Sequence, residues 1–364
     1  MLPIPLGIHL NKCLLSETQR AKPPKYDDSI AFGSVNTDHM LVCDYIPENG
    51  GWQTPEIKAF GPFSFMPSAV VFHYGQQIFE GMKAFRPGDN SKEIYLFRPD
   101  QNASRFHRSA TLMGMQPVPI ELFLTCIREL VLTDQRWVLP PPWSLYIRPM
   151  LIPLDTGVSY RASKSYRFCV ILSPAKAYFT KEQGISVYIE RERVRAIRGG
   201  VGEAKAGGNY GGAVDVVSRA MSAGADQVLW LDGVERKYVE EVGAMNVMFA
   251  YPDRIVTPAL SGAILPGITR RSLIELAQSS GVPIVEERLL IDQIIDDAKS
   301  GKLREAFGVG TAAVVSPIRV LIDGTHQFII GDGKPGPVGR RLKAELEGLQ
   351  TGASPDPFGW RVRL

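Results

Sequence analysis

The sequence has few of the residues that build metal centres and disulfide frameworks. Its 364 residues include four cysteines, far apart and without a Cys-x-x-Cys pair, and five scattered histidines. Zinc sites and disulfide scaffolds need such residues at short, regular spacing. We therefore expect no metal site, and cysteine usage of this kind is typical of a reducing compartment such as the cytoplasm.

Long apolar runs and an excess of one charge are missing as well. No apolar stretch reaches the roughly 18 residues that a membrane helix needs. Residues 1–15 form a terminal arm that Pro3 and Pro5 interrupt, without the charged start and cleavage site of a secretory signal. The 41 basic and 38 acidic residues nearly balance, and the arginines within 191–198 favour a solvated segment. We expect neither a membrane nor a nucleic-acid partner.

The residues that are present predict a soluble α/β protein of two domains. The hydrophobic fraction is 45% and the charged fraction 22%, and the length suits two domains. Periodicity predicts strands at 40–45, 93–97, 144–151, 166–172, 227–231 and 247–250, helices at 102–113, 120–132, 213–223, 270–280 and 292–300, and a hairpin of 319–322 and 327–330. A change of pattern near Thr180 predicts a smaller α/β domain over 1–179 and a larger domain over 180–364.

The densest glycine cluster, residues 199–212, contains Lys205 between two alanines. Small neighbours let a flat cofactor approach the lysine, and burial would favour its neutral, nucleophilic amine. The pattern is equally consistent with a lysine in a surface loop beside a turn.

A pair of acids, Glu240 and Glu241, follows an apolar residue and precedes Val-Gly. In an extended segment the two side chains point to opposite faces, so one could pair with the ring nitrogen of a cofactor. By itself the pair is also consistent with a strand end that carries two solvated acids.

Two segments have features of phosphate-binding sites. Residues 266–269 precede a predicted helix, whose N-terminal N–H groups bind phosphate. Residues 308–313 form a second predicted glycine-rich turn, to which Thr311 adds a hydroxyl. Its G-x-G-x-x-A pattern also suits a dinucleotide site, but a predicted hairpin rather than a βαβ unit follows it.

Aromatic and cationic residues could recognise a substrate. Tyr146 and Arg148 lie two apart on a predicted strand and share one face, which suits carboxylate binding. An exposed strand face is the alternative. Residues 74–82 mix aromatics with glycines, as a pocket wall or a packed core would.

The motifs and their order resemble those of the branched-chain amino acid aminotransferases, in the fold type IV group of pyridoxal phosphate enzymes. The resemblance is carried by FGSVNTDHM (32–40), YGQQIFEGMKAF (74–85), LFRPDQNASRF (96–106), SLYIRP (144–149), AKAGGNYGG (204–212), QVLWLDG (227–233), EEVGAMN (240–246), LPGITRRSL (265–273) and GVGTAA (308–313).

The resemblance implies cofactor contacts motif by motif. Lys205 matches the lysine that binds pyridoxal 5'-phosphate covalently, Tyr210 the tyrosine near its ring hydroxyl, and Glu241 the partner of its pyridine nitrogen. These three are the implied catalytic residues. The implied phosphate contacts are Arg105, the backbone amides of Ile268 and Thr269, and the hydroxyl of Thr311.

The resemblance also implies substrate contacts. Tyr146 and Arg148 match groups that hold substrate carboxylates, with Arg148 receiving the side-chain carboxylate of glutamate. Ala312 and Ala313 match backbone donors to the α-carboxylate. The apolar wall around a branched side chain matches Phe32, Tyr74, Phe79, Val158 and Tyr178.

The resemblance further implies a two-domain α/β (α+β) fold with the cofactor at the domain junction, and a homodimer that completes each pocket. The implied reaction transfers an amino group from L-leucine, L-isoleucine or L-valine to 2-oxoglutarate. Ala244 replaces the threonine of some members, and residues 313–316 replace the paired cysteines of the mammalian type. Alternatives are a D-amino acid aminotransferase, an aminodeoxychorismate lyase, a non-catalytic binding protein of this fold, or a nicotinamide oxidoreductase.

Overall fold

The computed structural model describes residues 8–25, 29–88, 91–176 and 183–364. The chain forms two compact units. The first unit contains the described residues up to 176 together with Ala204–Gly208 and Gly348–Leu364. The second contains 183–203 and Asn209–Glu347. The predicted boundary near Thr180 lies outside the described residues, so that boundary stays a prediction.

A mainly antiparallel sheet forms the centre of the first unit. Among the described residues its strands are β1 (Asn11–Cys13), β2 (His39–Ile46), β3 (Gly51–Trp52), β4 (Glu56–Ala59), β5 (Ile78–Phe79), β6 (Met82–Phe85), β7 (Tyr95–Phe97), β8 (Ser144–Pro153), β9 (Tyr166–Ala175) and β19 (Arg361–Arg363). The order is β1-β4-β2-β9-β8-β6-β7-β19, and β1 pairs with β4 in parallel. Part of the N-terminal arm is therefore a strand of this sheet.

Two helices pack on this sheet, α1 (Pro99–Leu112) and α2 (Ile120–Thr133). The apolar stripe of each helix faces inward, as its three-to-four spacing predicts. Phe106 of α1, Phe123 of α2 and Phe168 of β9 meet with ring centroids 5.3–5.7 Å apart. This aromatic contact joins the helices to the sheet and fixes the face of α1 that reaches the candidate site.

A mixed sheet forms the centre of the second unit. Among the described residues its strands are β10 (Ile185–Glu190), β11 (Gln227–Leu231), β12 (Val239–Val242), β13 (Asn246–Ala250), β14 (Ile255–Pro258), β15 (Ile284–Glu287), β16 (Glu305–Gly310), β17 (Val314–Asp323) and β18 (His326–Ile329). The order is β12-β11-β10-β17-β16-β13-β14-β15, with β18 beside β17. The core contains the fully buried Leu229, Val247, Phe249 and Leu321.

The remaining helices are α3 (Gly207–Gly211), α4 (Val214–Ser222), α5 (Ile268–Ser279), α6 (Ile291–Lys299) and α7 (Pro337–Thr351). In the part of the chain that the structure describes, no helix combines the length and the apolar character needed to cross a membrane. All four cysteines are free, and Cys43, Cys126 and Cys169 are buried.

Candidate active site

Lys205 lies in a short segment that pairs with β5. The backbone N–H of Phe79 donates to the carbonyl of Lys205 at 3.0 Å, and the N–H of Lys205 donates to Ser109 Oγ at 3.0 Å. The flanking alanines are buried, and the Lys205 Nζ lies 4.9 Å from the centroid of the Phe79 ring. The backbone of the lysine is thus held on both sides by tertiary contacts, and its side chain is half-buried.

Tyr146 and Arg148 contact each other on β8, as their same-face spacing predicts. Arg148 Nη2 donates to the Tyr146 hydroxyl at 3.0 Å, and the guanidinium carbon lies 4.8 Å from the centroid of the Phe79 ring. Arg148 Nε is buried without a hydrogen-bond partner in the described part of the chain. A buried guanidinium N–H of this kind is able to bind a carboxylate.

The space around Tyr146 depends on Gly81 and Phe32. A Cβ on Gly81 would lie 2.2 Å from the Tyr146 hydroxyl oxygen, so any larger residue would displace the ring. Phe32 packs edge-on against Tyr146 with centroids 4.8 Å apart. Phe79 and Tyr146 therefore lie beside the Arg148 guanidinium, and Phe32 packs on Tyr146; all three were named from the sequence.

Tyr74 and Val158 belong to a more exposed region of the same unit. The Tyr74 hydroxyl donates to the Val158 carbonyl, and the two side chains are 38% and 69% exposed. Tyr160, which the sequence interpretation did not include, packs edge-on against Tyr74 at 5.6 Å and is 88% exposed. An aromatic two residues after Val158 was the available signal. Tyr178 lies outside the described residues.

Arg105 of α1 forms a bidentate ion pair with Glu80. The sequence interpretation named Arg105 but not Glu80. Arg105 Nε lies 2.6 Å from Glu80 Oε1, and Nη2 lies 3.0 Å from Oε2. Burial raises the pKa of Glu80, but the charge and hydrogen bonds of Arg105, with smaller contributions from Lys205 and Asn102, outweigh it and keep this pKa below its ordinary value. Glu80 is therefore a buried anion.

Glu241 of β12 is a buried carboxylate of the second unit. Arg195 Nε lies 2.7 Å from Glu241 Oε2, while Asn246 Nδ2 and the N–H of Leu265 each donate to Oε1 at 3.1 Å. The side chain is 5% exposed. Because a guanidinium and two N–H donors surround it, the carboxylate is suited to accept a further N–H.

Glu240 points to the other side of β12 and is 4% exposed. Ser261 Oγ donates to its Oε1 at 2.9 Å, and Oε2 has no partner among the described residues. Burial raises the pKa of Glu240, against the opposing effects of Ser261 and Arg195. The alternative of two solvated acids is wrong for this pair, because both carboxylates are inside the unit.

The start of α5 lies beside the Glu241 site. Gly267 precedes the helix, so the N–H groups of Ile268 and Thr269 belong to the first turn and have no intrahelical acceptor. A Cβ on Gly267 would lie 1.9 Å from Asn246 Oδ1. Asn246 Nδ2 donates both to Glu241 and to the Leu265 carbonyl, so one amide fixes the carboxylate and the helix start together.

The other residues named from the sequence lie in turns or a short helix of the second unit. Tyr210 lies in α3, and Thr311, Ala312 and Ala313 form the turn between β16 and β17. The predicted glycine-rich turn over 308–313 is too long, because Gly308 and Gly310 are strand residues. A Cβ at Gly308 would lie 2.8 Å from Met245 Cε and 2.9 Å from Val242 Cγ1, so a larger residue would force these side chains to shift.

A further buried polar group lies in the first unit, away from these residues in sequence. His39 Nδ1 lies 2.6 Å from Asp134 Oδ1, and His39 Nε2 accepts a hydrogen bond from the N–H of Leu15. Asp38 accepts hydrogen bonds from Arg136 and Trp137. These contacts use the ring nitrogens and anchor the N-terminal arm, so we assign the group a structural role.

The family of the chain is decided by comparison with known proteins, beginning with a family model. The model for class IV amino-transferases matches residues 77–321. The chain belongs to the class IV aminotransferase family. The prediction of this family from the motifs is confirmed, and the nicotinamide oxidoreductase alternative is wrong.

Relatives of this aminotransferase cover nearly its whole length. Branched-chain-amino-acid transaminase 1 of Bacillus subtilis is 44% identical over 339 residues, covering 92% of this chain and 94% of the relative. The branched-chain-amino-acid aminotransferase of Mycolicibacterium smegmatis is 42% identical over 340 residues, covering 92% of each chain.

Solved structures share its fold. The Escherichia coli branched-chain amino acid aminotransferase superimposes with a TM-score of 0.72 at 28% identity, covering 89% of this chain and 98% of the other. The T.th. branched-chain amino acid aminotransferase complexed with N-(5'-phosphopyridoxyl)-L-glutamate gives a TM-score of 0.71 at 28% identity, covering 88% and 97%. The predicted mixed α/β fold of this group is confirmed.

Proposed function

We propose that the protein is a branched-chain aminotransferase that uses pyridoxal 5'-phosphate to move amino groups from L-leucine, L-isoleucine or L-valine to 2-oxoglutarate, giving 2-oxo acids and L-glutamate. The observation that carries the proposal is the grouping of Lys205 and Arg148 around the Phe79 ring. It combines a nucleophilic amine, a carboxylate-binding cation and an apolar surface. The relatives are named for branched-chain amino acids, which carry an amine, a carboxylate and an apolar side chain.

The described residues fit this cofactor. Glu241 is a buried carboxylate surrounded by donors, so it suits a protonated pyridine nitrogen. When bound, pyridoxal phosphate supplies an electron sink for charge that develops at the substrate Cα. We assign covalent attachment to Lys205, the ring hydroxyl to Tyr210, and the phosphate to Arg105, Ile268, Thr269 and Thr311.

Lys205 is the proposed general base. Its Nζ would hold the aldehyde of the cofactor and, as a free amine, would take the proton from the substrate Cα. The two backbone hydrogen bonds of Lys205 hold the main chain in place, so only the side chain has to move. The carboxylate of Glu241 would accept a hydrogen bond from the protonated pyridine nitrogen.

Two kinds of side chain must use one pocket, and the Arg148 site suits both. An aliphatic chain can pack on the rings of Phe79, Tyr146 and Phe32, while the γ-carboxylate of glutamate can accept hydrogen bonds from Arg148. Crystal structures of the T.th. enzyme hold N-(5'-phosphopyridoxyl)-L-glutamate in one case and 4-methylvaleric acid in another. The backbone donors Ala312 and Ala313 are the proposed partners of the α-carboxylate.

A homodimer in the cytoplasm is also part of the proposal. The first unit exposes large apolar side chains in two stretches of sequence, with Met66 at 64% and Phe72 at 62% in one and Val158 at 69% and Tyr160 at 88% in the other. Aromatic and methionine side chains are enriched at protein interfaces. We propose that a second copy of the chain covers them.

The test is an absorption spectrum of the purified protein, reconstituted with pyridoxal phosphate, before and after L-leucine. We expect a band of the bound cofactor that shifts with L-leucine and is lost in Lys205→Ala. Lys176→Ala, another half-buried lysine of the first unit, should keep the band. A band that responds only to D-amino acids would favour the D-amino acid or lyase alternative. No band in the wild-type protein would refute the proposal.

A further inference from the structure

Glu80 is a fully buried carboxylate to which the resemblance assigns no role. Its side chain is 0% exposed and lies at the end of β5, directly after Phe79. Four hydrogen bonds reach it, from Arg105 Nε at 2.6 Å, Arg105 Nη2 at 3.0 Å, Asn102 Nδ2 at 2.8 Å and the N–H of Gly81 at 2.9 Å. A charge so completely enclosed and satisfied fixes its neighbours in one geometry.

Every one of these contacts is a donor, so the position requires an acceptor on both oxygens. A glutamine would present its NH₂ group to donors whichever way the amide is turned. Asn102 and Arg105 lie three apart on α1 and therefore share the helix face that meets Glu80. The Glu80 carboxylate thus binds two side chains of one face of α1 and holds the Arg105 guanidinium in place.

A guanidinium offers five N–H donors in a rigid planar fork. Glu80 occupies the edge formed by Nε and Nη2, which sets the plane and direction of the whole group. We propose that Glu80 is a positioning residue that orients Arg105 to bind the cofactor phosphate. This inference rests on the proposed function, in which Arg105 is a phosphate contact.

Two effects of Glu80 on phosphate binding have opposite signs. Its negative charge repels the phosphate, and its hydrogen bonds hold Arg105 in position. The second effect dominates, because Arg105 is itself only 8% exposed and a glutamine at position 80 would turn an NH₂ group toward donors that the carboxylate now accepts. A displaced guanidinium would then bind the phosphate less well, even though a repulsive charge has been removed.

The experiment compares two probes on the full-length protein freed of cofactor, pyridoxal phosphate and pyridoxal, which lacks the phosphate. Their affinities are measured by absorbance titration. In Glu80→Gln the affinity for pyridoxal phosphate should fall by about ten- to hundredfold, by analogy with the loss of a group that orients a metal ligand. The affinity for pyridoxal should not change. Asp134→Asn, which alters another buried carboxylate of the first unit, should leave the ratio of the two affinities unchanged.

Asn102→Ala is the second variant, for the case that Glu80→Gln does not fold. It removes one donor to Glu80 without touching Arg105, so the ratio of pyridoxal phosphate to pyridoxal affinity should fall less steeply but in the same direction. Equal losses for both probes, an unchanged ratio, or tighter binding of pyridoxal phosphate would overturn the inference. Failure of the wild-type protein to bind pyridoxal phosphate would instead count against the proposed function.

Discussion

Arg148 has a buried N–H donor and lies against the Phe79 ring. Binding of a carboxylate by Arg148 can therefore be tested separately from apolar packing by the rings around it. In Arg148→Met the apolar stem remains and the charge is lost. We expect kcat/KM for L-glutamate to fall about 10–100-fold, the equivalent of ~1.5–3 kcal/mol for hydrogen bonds to a charged group. Activity with L-leucine should change little. Steady-state kinetics with both amino acids measures the split.

The matched control is Arg167→Met, because Arg167 also packs against an aromatic ring, with its guanidinium carbon 5.1 Å from the Phe63 centroid. It should leave the glutamate to leucine ratio unchanged. Equal losses for the two substrates in Arg148→Met would remove Arg148 from side-chain carboxylate recognition.

Glu240 provides a pH-dependent prediction, because burial raises its pKa above the ordinary value of 4.5. The folded protein then binds a proton more tightly than the unfolded chain, so this residue lowers the free energy of unfolding as pH rises through the interval between the two pKa values. Glu240→Gln has no carboxyl group to titrate, so it removes this fall in the free energy of unfolding. Relative to wild type, the variant should gain stability between about pH 4 and about pH 7.

Urea unfolding at both pH values measures this difference, with Glu235→Gln as the control, since Glu235 is an exposed acid of the same unit. A difference between Glu240→Gln and wild type that is identical at the two pH values would contradict the argument.

At the scale of elements, the start of α5 is set by a glycine that packing requires. Gly267 has φ −69°, which alanine can adopt, so only the contact with Asn246 Oδ1 opposes a side chain. In Gly267→Ala we expect Asn246 to be displaced from Glu241, at a cost of ~1–3 kcal/mol for overpacking. Cofactor affinity should fall together with the melting temperature.

Calorimetry and absorbance titration check both effects. Gly61→Ala is the control, since a Cβ at Gly61 meets nothing within 4 Å and its φ is not in the left-handed region. Normal cofactor affinity in Gly267→Ala would show that Asn246 does not couple the helix start to Glu241.

The sequence predicts well the elements whose apolar spacing is strong. The helix predicted at 120–132 is α2 (Ile120–Thr133), and the strand at 227–231 is β11. The helix predicted from 102 begins at Pro99, because proline suits the first turn. Helix α7 was missed, although Pro337 begins it and Leu342, Leu346 and Leu349 are buried at helical spacing.

The site could be predicted only in part. Lys205 and Glu241 lie in motifs that identify their roles. The residues that hold them in place, such as Ser109 and Arg195, are distant in sequence. Glu80 was missed for the same reason, since its importance is visible only through four donors that tertiary structure collects. Spacing determines which face a side chain is on, and tertiary packing determines what it meets.

At the scale of the whole molecule, the proposed dimer makes a prediction about the exposed apolar side chains of the first unit. A charge at Phe72 would have to be desolvated in the interface, so Phe72→Asp should weaken dimerisation by more than about tenfold. Sedimentation velocity over a range of protein concentrations measures it. Val234→Asp is the control, because Val234 is an equally exposed apolar residue of the second unit, at 73%.

Unchanged sedimentation of Phe72→Asp beside a wild-type dimer would place the interface elsewhere. A wild-type protein that sediments as a monomer would contradict the dimer itself.

The strand β19 has a consequence for how the protein is made. It pairs with β7, the N–H of Arg98 donates to the Trp360 carbonyl at 2.8 Å, and the Arg98 guanidinium carbon lies 4.6 Å from the centroid of the Trp360 ring. Domains often fold as they leave the ribosome, starting from the N-terminus. Here the sheet of the first unit lacks its edge strand until residues 361–363 have been translated. The unit also lacks the segment Ala204–Gly208, which contains Lys205, until residue 208 has been translated. The first unit to be synthesised is therefore among the last to be completed, and nascent chains halted before β19 should expose the edge of β7 to other strands.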